Sequence, residues 1–371
     1  MKICFLIHSL CMGGAERVTS NLANYWAVKG WQVMVATLAT AENDFYALHP
    51  AVERVSLGTA RGSRNWMSAV VNNARSIREI RKLLKRWRPD VAVGMMTTAN
   101  VLLALAGRGM PVLCVGSERT HPPVRPLGVG WERLRAFAYG RLDAVVALAG
   151  SSSDWLHQYT NVKRVKVIAN PVLWPLPPTA PIRDCGEWLH SGRHVLLAVG
   201  RLVDEKGFDL LLQAFSRIAL DLADWDLLIV GEGPERASLE TQVRYLGLCD
   251  RVKLPGQVGN ISDWYAAADI YAMSSRFEGF PNTLIEAMSC GLPAVSFDCL
   301  TGPRDIIRDE IDGVLVPHMD VATFAQELAR LMRDEGLRAK MARRAVDARE
   351  RFALDRIAGM WEKLFGELSC E

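Results

Sequence analysis

Lys2-Ile3-Cys4-Phe5-Leu6-Ile7, followed by His8 and then by Gly13-Gly14-Ala15-Glu16-Arg17, is the stretch that decides the fold. A short apolar run of this kind reads as a strand buried on both faces, as parallel sheets use. The glycine pair then turns the chain into a helical pattern from about 15 to 29. Gly30 ends that helix, and residues 32–38 form a second buried strand. Strand, glycine turn, helix and strand make a βαβ unit, whose first turn aims backbone N–H groups at an incoming anion. The outer glycines of a GxGxxG fingerprint are absent, and a merely tight turn explains the pair equally well.

Outward from this unit the cycle repeats. A helix at 69–87, a strand at 90–94, a further helix, and strands at 111–115, 143–148 and 165–168 fill the first half, with a helical pattern at 132–140. Residues 171–187 hold Pro171, Pro175, Pro177, Pro178 and Pro181 without periodicity, and read as a linker. Strands at 194–199, 226–230, 252–254, 270–273 and 293–297 then alternate with helices near 208–219, 235–246, 261–267 and 282–289. Helical stretches near 303–309, 321–334, 337–349 and 354–368 finish the chain. The expected fold class is α/β, with two Rossmann-like doubly wound domains on mostly parallel sheets facing a central cleft. The expected boundaries are 1–170, a linker at 171–187, 188–350, and a C-terminal helix at 351–371 that packs back on the first domain.

The 371 residues are half hydrophobic, enough for two layered cores, which excludes a disordered or fibrous chain. A net charge of +3 is too small to argue for nucleic acid over the whole protein. Eight cysteines lie scattered without a CxxC pair, so neither a disulfide scaffold nor a zinc site is expected. The N-terminal apolar run is too short for a signal peptide, and no apolar stretch approaches the roughly 20 residues that span a bilayer. A cytoplasmic protein, peripheral on the inner face of the cell membrane, is the expectation.

Three stretches can carry chemistry. Arg201 and Lys206 follow the strand 194–199 directly, where a guanidinium fork and a mobile ammonium can meet a diphosphate; two ordinary surface cations are the alternative. Gly231-Glu232-Gly233-Pro234 closes the strand 226–230 and reads first as a sharp turn. The most informative stretch is Arg276-Phe277-Glu278-Gly279-Phe280-Pro281-Asn282-Thr283-Leu284-Ile285-Glu286-Ala287. Pro281 stands before a helix whose first turn offers the N–H groups of Thr283 and Leu284 to an anion. Glu278 precedes that turn and Glu286 follows it, between apolar neighbours that make an exposed position uncomfortable.

Glu278 and Glu286 match the E-x7-E motif, and the stretch around them resembles the retaining glycosyltransferases of GT-B fold in glycosyltransferase family 4, of the bacterial glycan-assembly type. Gly13 to Arg17, Val199-Gly200-Arg201 with Lys206-Gly207, and Val230 to Pro234 are similar to family motifs in the same order, over about residues 1–350. The resemblance implies a hexose or N-acetylhexosamine moved from a nucleotide donor, UDP-linked for preference, to a hydroxyl of a lipid-linked or polysaccharide acceptor. The first domain would then be the acceptor side and 188–350 the nucleotide-sugar side. By resemblance Gly14, Arg201, Lys206, Asn282, Thr283 and Leu284 would hold the donor diphosphate, Glu286 the ribose, and Glu278 the donor sugar. Such enzymes generally need no metal or other cofactor. In Ser117-Glu118-Arg119-Thr120-His121-Pro122, either Glu118 or His121 would take the first-domain catalytic role; for His121 a capping or surface position is the alternative.

Two basic segments suggest a partner. Along 70–88 the apolar positions Val70, Ala74, Ile77, Ile80, Leu84 and Trp87 leave Arg75, Arg78, Arg81, Lys82, Lys85 and Arg86 as a cationic side. Arg133, Arg135 and Arg141 interleave with Trp131, Phe137 and Tyr139. These fit an anionic membrane surface or the diphosphate of a polyprenyl-linked acceptor; an ordinary solvated helix face is the alternative. No nucleic-acid module accompanies the charge. Two rival functions remain: a non-hydrolysing UDP-sugar epimerase and a non-catalytic sugar-nucleotide-binding subunit.

Overall fold

The computed structural model describes residues 1–60, 66–124 and 128–370. The chain divides into two compact units, Met1–Pro171 with Leu354–Glu371, and Val172–Ala353.

The first unit runs β1 (Lys2–Ile7), α1 (Gly14–Val28), β2 (Gln32–Thr37), β3 (Val52–Ser56), α2 (Trp66–Trp87), β4 (Val91–Met95), α3 (Thr97–Ala106), β5 (Leu113–Ser117), α4 (Val129–Tyr139), β6 (Ala144–Ala147), α5 (Gly150–Tyr159) and β7 (Val165–Val167). Its seven strands are ordered β3-β2-β1-β4-β5-β6-β7, and every recorded pairing is parallel. Both faces of the sheet are therefore covered, which is why β1 and β4 read as unbroken apolar runs. β3 escapes the sequence reading because Val-Glu-Arg-Val-Ser is an edge strand, half exposed, with two charges in five residues.

The second unit runs β8 (His194–Val199), α6 (Phe208–Ser216), β9 (Trp225–Val230), α7 (Arg236–Tyr245), β10 (Val252–Gly256), α8 (Ile261–Ala266), β11 (Ile270–Met273), α9 (Asn282–Ser289), β12 (Ala294–Phe297), α10 (Pro303–Ile306), β13 (Gly313–Val316), α11 (Val321–Arg333), α12 (Glu335–Ala345) and α13 (Ala348–Arg351). Six parallel strands follow the order β10-β9-β8-β11-β12-β13. The edge strand β13 is the second one missed from sequence. In both units the order reverses beside the first strand, and in open parallel sheets loops at such a switch point bind ligands.

The proline-rich stretch 171–187 is not a free linker. Past the unit boundary at Val172 it is a strap fastened to the second unit: Thr179 N donates to Gly259 O at 3.0 Å, Gly259 N to Pro181 O at 2.6 Å, and Arg183 N to Asn260 Oδ1 at 3.0 Å. Asn260 Nδ2 returns a bond to Arg183 O at 2.9 Å. The chain then returns to the first unit as α14 (Leu354–Ser369), which packs on α1. Trp26, Trp361 and Phe365 meet there without exposure, and Trp26 Nε1 donates to Glu362 Oε1 at 2.9 Å. Truncating either tryptophan would cost about 3–5 kcal/mol.

Helix α2 sets Ile77, Ile80, Leu84 and Trp87 against the core as the spacing expects, but its first turns depart from it, with Val70 and Ala74 exposed. Ser76, Ile80 and Leu84 face the core, whereas Val70 is 59 % exposed, and Met67 and Val71 stand open beside it. Among the described residues no helix is long and apolar enough to cross a membrane.

Candidate functional site

In the second unit the loops after β8, β11 and β12 are zipped together. Asp204–Lys206 form one 3-10 turn that ends at Gly207, whose φ is +59°. A Cβ on Gly207 would stand 2.1 Å from Ser274 O, so only glycine lets the loop after β11 approach this closely. Ser274 Oγ donates to Lys206 O at 3.0 Å. Arg276 grips Asp209 with both terminal nitrogens, at 2.8 and 2.7 Å, and donates to Asp204 O at 2.8 Å. Burial raises the Asp209 carboxyl, but the hydrogen bonds and charge of Arg276 outweigh it and hold the group below its ordinary range.

This zip sets the central pair. Lys206 Nζ lies 2.5 Å from Glu278 Oε1, and Ser275 Oγ donates to the same oxygen at 2.7 Å. Glu278 Oε2 has no protein partner among the described residues, so it can accept a ligand hydroxyl. Thr301 Oγ1 donates to the Glu278 carbonyl, and Gly302, at φ +98°, brings the loop after β12 against Pro281. Arg201 is exposed, and its guanidinium has no hydrogen bond or ion pair among the described residues.

Pro281 caps α9, which Asn282 and Thr283 open. Leu284 is buried, and its N–H already donates to Pro281 O at 3.2 Å. Two tyrosines missed from sequence sit behind this helix. Tyr271 OH donates to Thr283 Oγ1 at 2.8 Å; Tyr265 OH lies 3.2 Å from Thr283 O and 3.3 Å from Glu286 Oε2. Glu286 is buried and does not lie on a solvated helix face. Only an aromatic in an apolar strand marked Tyr271 in the sequence, and that pattern ordinarily means core.

Gly14, Glu118 and His121 belong to the first unit. Gly14 opens α1 behind Gly13, where a Cβ would fall 2.2 Å from the Glu16 carboxylate. Glu118 is 2 % exposed, and both its oxygens are used: Thr97 Oγ1 donates to Oε1 at 2.7 Å and Tyr139 OH to Oε2 at 2.5 Å. Burial raises its carboxyl above the ordinary range despite these two bonds. His121 Nδ1 lies 3.0 Å from Ser152 Oγ on α5, and burial lowers the imidazole below its ordinary value. Arg119 between them is buried without a carboxylate: Nη1 donates to Asn170 Oδ1 at 2.7 Å, the guanidinium lies over Trp361, and burial pulls it down to about 9.

The basic segments divide. Arg75, Arg78, Lys85 and Arg86 are exposed, as is Lys82 beside Glu79 at 2.8 Å. Arg81 Nη1 donates to Ala106 O and Arg108 O, capping the end of α3. Arg135 is a core residue and no surface cation: it is 1 % exposed, ion-paired to Glu132 and set over Trp155. Among the described residues no group of three His, Cys, Asp or Glu side chains is arranged to hold a metal ion.

Residues 12–172 match the family described as Glycosyltransferase Family 4, and residues 187–347 that described as Glycosyl transferases group 1. The chain is 32 % identical over 365 residues to the N-acetylgalactosamine-N,N'-diacetylbacillosaminyl-diphospho-undecaprenol 4-alpha-N-acetylgalactosaminyltransferase of Campylobacter jejuni, covering 96 % of this chain and 97 % of that one. It is also 32 % identical to an exopolysaccharide phosphotransferase of Streptomyces coelicolor, over 99 % of this chain but only 41 % of that protein's length. In fold it is similar to Anabaena HepE, solved in complex with UDP, at a TM-score of 0.81 and 21 % identity, over 99 % of this chain and 100 % of the other. The chain therefore belongs to glycosyltransferase family 4, whose GT-B-fold members carry a sugar from a nucleotide donor to an acceptor.

Proposed function

We propose that the protein is a retaining transferase that moves a hexose or N-acetylhexosamine from a UDP-sugar to a hydroxyl of a lipid-linked or polysaccharide acceptor. The observation that carries this reading is the Lys206–Glu278 pair beside the unpartnered Arg201, at the strand ends where nucleotides bind in such sheets. Lys206 spends one of its three donors on Glu278 and keeps two for a diphosphate, which Arg201 meets as a fork. Asn282 and Thr283, which open α9, offer backbone N–H groups to the same diphosphate. Glu286 takes the ribose, and Glu278 Oε2 takes a hydroxyl of the sugar.

The acceptor oxygen attacks the anomeric carbon as its bond to the diphosphate oxygen breaks, and the hydroxyl proton passes to that departing oxygen. Preorganised cations stabilise the charge that develops there, in place of a metal. His121, held neutral by burial, is the first-unit group at the reacting sugar, and Glu118 positions the loop that bears it. The C. jejuni relative's undecaprenyl-diphosphate acceptor and the UDP bound by Anabaena HepE support the acceptor and donor classes. Arg75, Arg78, Lys82, Lys85 and Arg86, with Met67, Val70 and Val71 open beside them, favour a peripheral seat on an anionic inner-membrane leaflet. A mass-spectrometric screen of UDP-, GDP- and ADP-sugars against lipid-linked glycans tests the reading. Transfer from a UDP-sugar is expected; epimerised donor without transfer, or no turnover at all, defeats it.

A further inference from the structure

Helix α5 starts beside His121 and carries two aromatic rings away from it. Ser152 touches His121, and Trp155 and Tyr159 fall three and seven residues on, along the same helix face. At 1.5 Å per residue this stripe runs roughly 10 Å. Against it lies a groove of about 410 Å³, lined among the described residues by Pro122, Pro123, Glu132, Arg133, Trp155 and Tyr159. The Trp155 and Tyr159 rings lie 5.1 Å apart with their planes 31° from parallel. The buried Arg135 guanidinium, 4.6 Å from the Trp155 ring centre, fixes that ring from below. Tyr159 stands 55 % exposed, and Arg133 is exposed with no hydrogen bond or ion pair among the described residues.

This surface sets ring faces and a proline wall beside charged groups. An isoprenoid chain lying here would strip water from Arg133 and give it no partner in return. A sugar ring suits both halves: its C–H face lies on an aromatic, while its hydroxyls donate to a carboxylate and accept from a guanidinium. The groove also begins at Pro122, the residue after His121, so a glycan lying in it is continuous with the loop assigned to the reacting sugar. We infer that the groove is a subsite for the acceptor glycan, seating a sugar unit set back from the reacting hydroxyl. Trp155 and Tyr159 are its platform and Arg133 its hydrogen-bond donor. The inference rests on the transferase reading.

The test compares wild type with Tyr159→Ala, Tyr159→Phe and Arg133→Ala. The probes are the UDP-sugar that wild type turns over and lipid-linked glycans extracted from membranes, used intact and after mild-acid release from the lipid. Tyr159→Ala is expected to raise the acceptor KM about tenfold, with kcat at saturating acceptor and the donor KM within about twofold of wild type. Tyr159→Phe restores the KM, Arg133→Ala raises it, and released glycan shows the same losses. An unchanged acceptor KM in Tyr159→Ala overturns the subsite, as does a loss seen only with lipid attached. A wild-type chain that turns over no nucleotide sugar defeats the transferase reading itself, and the subsite falls with it.

Discussion

Lys206 Nζ lies 2.5 Å from Glu278 Oε1 although 72 positions separate the two residues in the chain. Neither side chain makes this approach alone: Gly207, Ser274 and Arg276 pull the two loops together first. If Lys206 serves the departing diphosphate, Lys206→Ala lowers kcat by about 10²–10³-fold with the fold intact, the loss typical of removing one charge-stabilising donor. Glu278→Gln keeps the shape and lowers kcat less. Steady-state kinetics on both variants, with circular dichroism to confirm folding, check this, and wild-type kcat in Lys206→Ala would refute the role.

Gly207→Ala tests the zip instead of the charge. The added Cβ meets Ser274 O at 2.1 Å in a left-handed backbone, so a loss of about 2 kcal/mol or more is expected. Donor affinity falls with it because Lys206 is displaced. Thermal unfolding and a donor KM measure the two effects.

His121 supplies the pH dependence. Burial sets its pKa below the ordinary 6.5, so at pH 7 the ring is neutral, and the acid limb of kcat falls below 6.5. The same sign governs stability: above 6.5 both folded and unfolded chains hold it neutral, and below it the unfolded chain takes up the proton first. Stability therefore falls as pH drops through that window. Ser152→Ala frees the ring and lowers kcat about tenfold, short of the ~10²-fold that a 1 Å misplacement can cost, with the donor KM unchanged. Ser152→Thr restores it. A pH–rate profile of the three proteins decides.

Glu118 is expected to act through structure. Glu118→Ala leaves the buried Tyr139 hydroxyl with only the bond it accepts from Asn100 and takes the acceptor from the half-buried Thr97 Oγ1, and the buried donor left unpaired costs about 1–3 kcal/mol. Glu118→Gln keeps an acceptor for one of them and retains most of the stability and the activity. A melting temperature that Glu118→Ala leaves unmoved would contradict this.

Where the sequence was legible, local chemistry sufficed. The apolar runs of β1 and β8 and the glycine turns after them announce parallel strands without any knowledge of their neighbours. β3 was hidden because Glu53 and Arg54 belong to an edge, and the 172–187 strap because its anchors, Gly259 and Asn260, lie some 80 residues away. Periodicity placed α2 and the facing of Ile77, Ile80, Leu84 and Trp87, but not its first turns, where Met67, Val70 and Val71 are apolar and exposed. For the candidate site, the E-x7-E spacing pointed to one loop and helix, and Glu278 lies in that loop with Glu286 on α9. The pairing of Glu278 with Lys206, the tyrosines behind Thr283 and Glu286, and the burial of Glu118 and Arg135 all depend on long-range packing. None of these has a local signature.

The membrane seat rests on α2. Neutralising Arg75, Arg78, Lys82 and Lys85 together should abolish flotation with liposomes containing anionic lipid, at about 1 kcal/mol per charge removed. Transfer to a lipid-free acceptor should be unaffected. Unchanged flotation would remove the proposal.

The proposed reaction is sugar transfer from a UDP donor with retention at the anomeric carbon. Its most direct test is the anomeric configuration of the product, read by proton NMR as the reaction runs, against that of the donor. A glycosidic product with the donor's configuration, and UDP released in equal amount, is expected. An inverted product, or donor consumed without any glycoside formed, would contradict it.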